Sequence, residues 1–159
     1  MLFGFGGLIL IIDLASKALI SRWISLGHSI DIVDNILRIT YIHNRGAIFG
    51  LSVGDGTGSI VLVVSLLAAL FITVYYLYHP FKLKWQSLGL ILILSGAVGN
   101  LYDRITLGEV RDFIDVGLAG FRWPIFNVAD LAVTLGAVFL ALELTRKDKG
   151  QELHQVSGE

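Results

Sequence analysis

Two aspartates carry the chemistry that this sequence offers. Asp112 lies in Val110-Arg111-Asp112-Phe113-Ile114, and Asp130 lies in Phe126-Asn127-Val128-Ala129-Asp130. If the two meet in a poorly hydrated site, they cannot both ionise cheaply and will share a proton. One then takes a proton from water, while the other protonates the scissile carbonyl or the leaving nitrogen. This is aspartic-protease chemistry. It requires neither a metal nor a cofactor, and none is expected. The bland reading of Asp130 is a carboxylate favoured by a helix N-terminus. Against it, Asn127 already stands one turn earlier, and Asp130 sits several residues into apolar sequence, where an idle charge is costly. Asp115 should point to the opposite strand face from Asp112 and be solvated.

Three further polar clusters interrupt apolar sequence. Asp13 and Lys17 stand at i and i+4, on one helix face, where they can pair; an ion pair that fixes helix packing is the simplest account of them. Asn44-Arg45-Gly46-Ala47 combines an amide with a glycine that permits close backbone approach, although a tight surface turn would look the same. Asn100, Asp103 and Arg104 share one face at i, i+3 and i+4. They follow Ser95-Gly96-Ala97-Val98-Gly99, small residues that let a neighbouring helix pack closely.

The elements that must hold these residues are read from hydropathy. A bilayer core takes about 20 apolar residues as a helix. Four stretches qualify: about 3–22, 59–79, 85–102 and 124–144. The expected fold class is therefore an all-α membrane protein of four transmembrane helices, with a small β-cradle on the outer side between spans one and two. Residues 1–145 form a single domain on this reading, and 146–159 a polar cytoplasmic tail. Trp23, Trp85 and Trp123 all fall on span borders, and Tyr75, Tyr76 and Tyr78 close span two, where amphipathic rings favour the headgroup level. Leu37, Ile39 and Tyr41 alternate with Arg38, Thr40 and Ile42, which reads as a surface strand, and 110–116 reads as a second. Lys82, Lys84, Arg146, Lys147 and Lys149 stand against Arg22, Arg38, Arg45, Arg104, Arg111 and Arg122 on the other side, so a raw count does not decide orientation. Several of those six sit in polar clusters, and the short, Lys-dense loop favours both termini inside.

Composition agrees. Of 159 residues, 55% are hydrophobic and only 16% charged, with a mean hydropathy of +0.75; an ordinary soluble domain is about a quarter charged. The formal net charge of −1 offers no electrostatic footprint for nucleic acid. Cys is absent, which excludes disulfides, thiolate metal sites and Cys nucleophiles. No HExxH occurs, and His28, His43, His79 and His154 are dispersed. Rival readings are a small transporter or proton pathway using the same intramembrane charges, and a non-catalytic assembly factor. The clustering of charges at one boundary speaks against a path across the membrane.

Five ordered blocks closely resemble the lipoprotein signal peptidases, the type II bacterial signal peptidase family: Asp13-Leu14-Ala15-Ser16-Lys17, Asn44 to Gly50, Gly96 to Arg104, Val110 to Ile114 and Phe126 to Asp130. The resemblance implies an inner-membrane aspartyl endopeptidase that removes the signal peptide from diacylglyceryl-modified prolipoproteins, just before the lipidated Cys. It implies Asp112 and Asp130 as the catalytic pair. Asp13, Lys17, Asn44, Gly46, Asn100, Asp103, Arg104 and Asn127 fall at supporting or substrate-contacting positions. It further implies a monomer in contact with membrane lipids, cytoplasmic termini, and a site toward the outer face. Arg111 departs from the small apolar residue common there. Pointed at the pair, it would favour ionised Asp112 and leave the proton on Asp130.

Overall fold

The computed structural model describes residues 2–34, 36–45 and 84–156, together with Leu67, Leu70, Phe71, Val74 and Tyr78, which are helical. Three full helices and four strands run in the order α1 (Leu2–Trp23), β1 (Ser29–Val33), β2 (Leu37–Asn44), α2 (Lys84–Leu107), β3 (Val110–Leu118), β4 (Phe121–Arg122) and α3 (Val128–Val156).

The all-α, four-span expectation is overturned. The strands form one antiparallel sheet in the order β1-β2-β3-β4. Among the described residues, two helices are long and apolar enough to cross a membrane, at Gly4–Trp23 and Trp85–Leu107. The physical reason lies in the connections: each long polar segment must satisfy its own backbone donors and acceptors, and the two segments do so by pairing with each other. The sheet is therefore not a feature of the first outer segment alone, since β2 pairs with β3 along most of its length. The expected fourth span is also displaced. Its apolar helix is Val128–Leu142, because Phe126 pairs with Ile114 as an isolated bridge and keeps the preceding chain extended. The expected second span, 59–79, lies outside the described residues apart from the five helical positions named above. The polar tail continues α3 as helix to Val156.

Local chemistry explains the borders. Gly108 ends α2 with a positive φ of 76°, and its N–H donates to the Arg104 carbonyl at 3.1 Å, a left-handed C-terminal cap. Ala119 and Gly120 both take positive φ and make the tight turn between β3 and β4. At the start of α3, Asn127 Oδ1 accepts the Asp130 N–H at 2.9 Å, and Asp130 Oδ2 accepts the Asn127 N–H at 3.2 Å. This reciprocal capping satisfies two N-terminal donors.

The helices pack on glycine. A Cβ at Gly136 would strike the backbone of Gly89, and one at Gly96 the Ala129 carbonyl, so α2 and α3 approach nearly backbone to backbone. Gly99 leaves room for the Asp13 carboxylate of α1. The C-terminal half of α1, the C-terminus of α2 and the N-terminus of α3 thus meet beside the sheet. Trp23 and Trp85 are exposed at the ends of α1 and α2, whereas Trp123 is exposed just after β4, ahead of α3.

Candidate active site

Five of the most deeply buried side chains are polar: Lys17, Asn127, Asp13, Asp103 and Asp112. They belong to one continuous network in which every helix and the central strands take part.

The network begins with paired charges. Lys17 Nζ of α1 lies 2.8 Å from Asp13 Oδ2 and 3.5 Å from Asp103 Oδ2 of α2. Asp103 in turn binds Arg111 of β3, with Oδ1 2.5 Å from Nη2 and Oδ2 accepting the Arg111 backbone N–H at 3.1 Å. Two carboxylates and two cations therefore neutralise one another, which lets them stay charged out of water. The second oxygen of Asp13 accepts the Ala129 N–H of α3 at 2.9 Å. Asp13 thus serves the exposed amides of the α3 N-terminus as well as Lys17.

Two asparagine amides connect this network to the aspartate pair. Asn100 Oδ1 accepts from Lys17 Nζ at 3.0 Å and from Asn127 Nδ2 at 3.1 Å. With its oxygen so engaged, its Nδ2 is directed to Asp130 Oδ1, at 2.7 Å. Asn127 Nδ2 donates to Asp112 Oδ1 at 2.6 Å, while its backbone N–H holds Asp130 Oδ2. Asn44 Nδ2, at the end of β2, donates to Asp112 Oδ2 at 2.9 Å. The two aspartates are thereby brought together across a single residue, Asn127.

Their surroundings differ. Asp112 is 1% exposed, whereas Asp130 is half-buried. Burial, then the nearby charge of Asp130, pushes the Asp112 carboxyl up to about 7, against the donors of Asn44 and Asn127. Arg104, half-buried one turn beyond Asn100, places its charge within reach of Asp130, Asp112 and Asp103.

Asp13, Lys17, Asn44, Asn100, Asp103, Asn127, Asp112 and Asp130 lie in this one network, with Arg104 beside them, whereas helical spacing predicts only the local pairs among them. Gly46 lies outside the described residues. Two expectations fail. Arg111 faces Asp103, not the aspartate pair; the Asp103 hydrogen bonds raise its already high pKa, and Asp112 is driven toward the protonated form. Asp115 is not solvated. It is buried, paired with Arg122 at 2.8 Å and bonded by the Thr40 hydroxyl at 2.8 Å. Thr40 of the neighbouring strand and Arg122 of β4 cover it on the face turned away from Asp112. Sequence reasoning also missed Glu109, which binds His43 Nδ1 at 2.9 Å and Arg45 Nε at 2.6 Å. The only available signal was an acidic residue directly ahead of a strand.

A family model described as signal peptidase (SPase) II matches residues 6–146. The lipoprotein signal peptidase of Geobacter metallireducens is 41% identical over 143 residues, covering 89% of this chain and 88% of its own. That of Syntrophus aciditrophicus is 38% identical over 146 residues, covering 90% and 91%. Two solved structures, each described as a bacterial membrane enzyme, superpose with TM-scores of 0.83 and 0.77 at 26% and 27% identity. The first covers 91% of this chain and 87% of its own, and the second 87% and 88%.

Proposed function

Because the chain belongs to the signal peptidase (SPase) II family, we propose that it is an aspartic endopeptidase that removes the signal peptide from diacylglyceryl-modified prolipoproteins, cutting just before the lipidated Cys. The observation that carries the aspartic mechanism is the double attachment of Asn127, whose side chain holds Asp112 and whose backbone holds Asp130.

Asp130, half-buried and bonded by two donors, is the base that takes a proton from the attacking water. Asp112, buried and pushed up to about 7, carries the proton that goes to the scissile carbonyl oxygen. The gem-diol then collapses: the C–N bond breaks, the leaving nitrogen takes the proton that Asp130 gained, and Asp112 recovers its own from the diol hydroxyl. Asn44, Asn100 and Asn127 orient the two carboxyls. The Asp13, Lys17, Asp103 and Arg111 charges support those amides, and Arg104 adds a positive charge near both aspartates.

The placement in the membrane is part of the same proposal. The N-terminus of α1, Lys84 at the start of α2 and the C-terminal half of α3 lie at the end opposite the site. Lys82, Lys84, Arg146, Lys147 and Lys149 support assigning that end to the cytoplasm. The site then faces the outer leaflet of the inner membrane, where the acyl chains of a lipidated substrate remain in the bilayer while the peptide meets water. The enzyme acts as a monomer on this reading, since one chain supplies both aspartates and the asparagines that hold them.

The test is a gel-shift cleavage assay with a diacylglyceryl-modified prolipoprotein. Asp112→Asn and Asp130→Asn each abolish cleavage, by a factor of at least ~10², while the folded protein remains abundant. Near wild-type cleavage by either variant refutes the pair.

A further inference from the structure

Among the described residues, Asn44 is the donor to Asp112 that comes from β2. It is the last residue of β2, and its pairing with Val110 is the final rung of the β2–β3 ladder. The last rung of a ladder opens more readily than an internal one. Successive side chains of a strand point to opposite faces, so when Asn44 faces Asp112, His43 and Arg45 face the other way. There, both meet the same carboxylate: Glu109, just outside the last rung, accepts from His43 Nδ1 with one oxygen and from Arg45 Nε with the other. His43 Nε2 is bonded by the buried Tyr41 hydroxyl at 2.8 Å, which fixes the ring from its far side. Asn44 is thus straddled by two residues clasped to a single side chain.

We propose that Glu109 is a positioning residue: acting through His43 and Arg45, it clasps the end of β2 to the start of β3 and so holds the Asn44 amide on Asp112. The inference rests on the reading that Asp112 is one of the reacting carboxyls. The clasp is built to stay charged. Burial alone would raise the Glu109 carboxyl, but the hydrogen bonds and charges of Arg45 and His43 outweigh it and hold the group below its ordinary value. The charged and titratable groups facing His43 are Tyr41 and Arg45 of its own segment, Glu109, and Arg111 opposite it on β3 with its Asp103 partner from α2. Those facing Asp112 are Asp130 from α3, Lys17 from α1 and Arg104 from α2. None of these replaces the Asn44 donor when the strand end lifts.

The experiment measures kcat and KM across pH with the lipidated substrate, for the wild type and for Glu109→Ala, His43→Ala, Asn44→Ala and the double variant Glu109→Ala/Asn44→Ala. Loss of a donor to ionised Asp112 favours its protonated form, so the alkaline limb of kcat moves to higher pH, by about one unit. Glu109→Ala and His43→Ala should show this shift and a roughly tenfold fall in kcat from misplacement, with KM little changed. In the Asn44→Ala background, Glu109→Ala should add nothing. Additive shifts, or a Glu109→Ala enzyme that loses thermal stability but keeps the wild-type pH profile, overturn the clasp alone. An active Asp112→Asn overturns the catalytic pair, and the clasp with it.

Discussion

Replacing Lys17 by Met tests whether the buried charges form one balanced unit. The Lys17 ammonium is completely enclosed and has three oxygen neighbours, at 2.8 Å, 3.0 Å and 3.5 Å. Asp103, the most distant, keeps Arg111 at 2.5 Å when Lys17 is removed, so its charge remains compensated. Asp13 does not: among the described residues no other cation contacts its carboxylate, whose remaining partner is the Ala129 N–H. Lys17→Met therefore strands one buried carboxylate, which costs about 3–5 kcal/mol, a large part of the ~5–15 kcal/mol that holds a domain folded. Adding Asp13→Asn removes the stranded charge while leaving an oxygen to accept the Ala129 N–H. The double variant should then be more stable than Lys17→Met alone, although it carries one more substitution. Thermal unfolding of the detergent-purified proteins, followed by Trp fluorescence, reads this directly. If the two losses simply add, the paired-charge account is wrong. Activity should not return with stability, because Asn100 loses the Lys17 contact that helps fix its amide toward Asp130.

Two other outcomes follow from the same geometry. The folded-state pKa of Asp112 is raised from 3.8 to about 7, so proton binding favours the native state: this contribution is fully present below pH 3.8 and is lost as pH rises through about 7. The wild type should have a higher Tm at pH 5 than at pH 8, and Asp112→Asn, which cannot titrate there, should show a smaller difference; an unchanged difference counts against the buried protonated carboxyl. Gly96→Ala and Gly99→Ala should each destabilise by about 1–3 kcal/mol, although Ala ordinarily favours a helix, because the added methyl meets the Ala129 carbonyl or the Asp13 carboxylate. Gly7→Ala, which has open space around its Cβ position, is the control and should keep or raise the wild-type Tm.

Much of the site was legible in the sequence, and for a definite reason. Ionisable residues in apolar stretches are conspicuous because each must be paired or used. Helical spacing alone placed Asp13 with Lys17, Asn100 with Asp103 and Arg104, and Asn127 with Asp130. These contacts are local, set by the helical repeat whatever the rest of the chain does. The strand signals at 37–42 and 110–116 were local too, and both are strands.

Tertiary structure decided what depends on partners distant along the chain. Hydropathy measures burial but not its source, so it took two outer segments for surface decoration on a four-helix protein, when their backbones close a shared sheet. The direction of Arg111 turned on Asp103, which lies on a different element. The burial of Asp115 turned on Thr40 and Arg122, from two other strands. Glu109 gains its role only where β2 ends against β3. The sequence by itself determined which residues must be accounted for, because the cost of a charge in apolar surroundings is a property of that residue and its neighbours. Which aspartate is driven to hold the proton was decided by the fold, because unequal burial and shared amide donors exist only once the helices and strands have met.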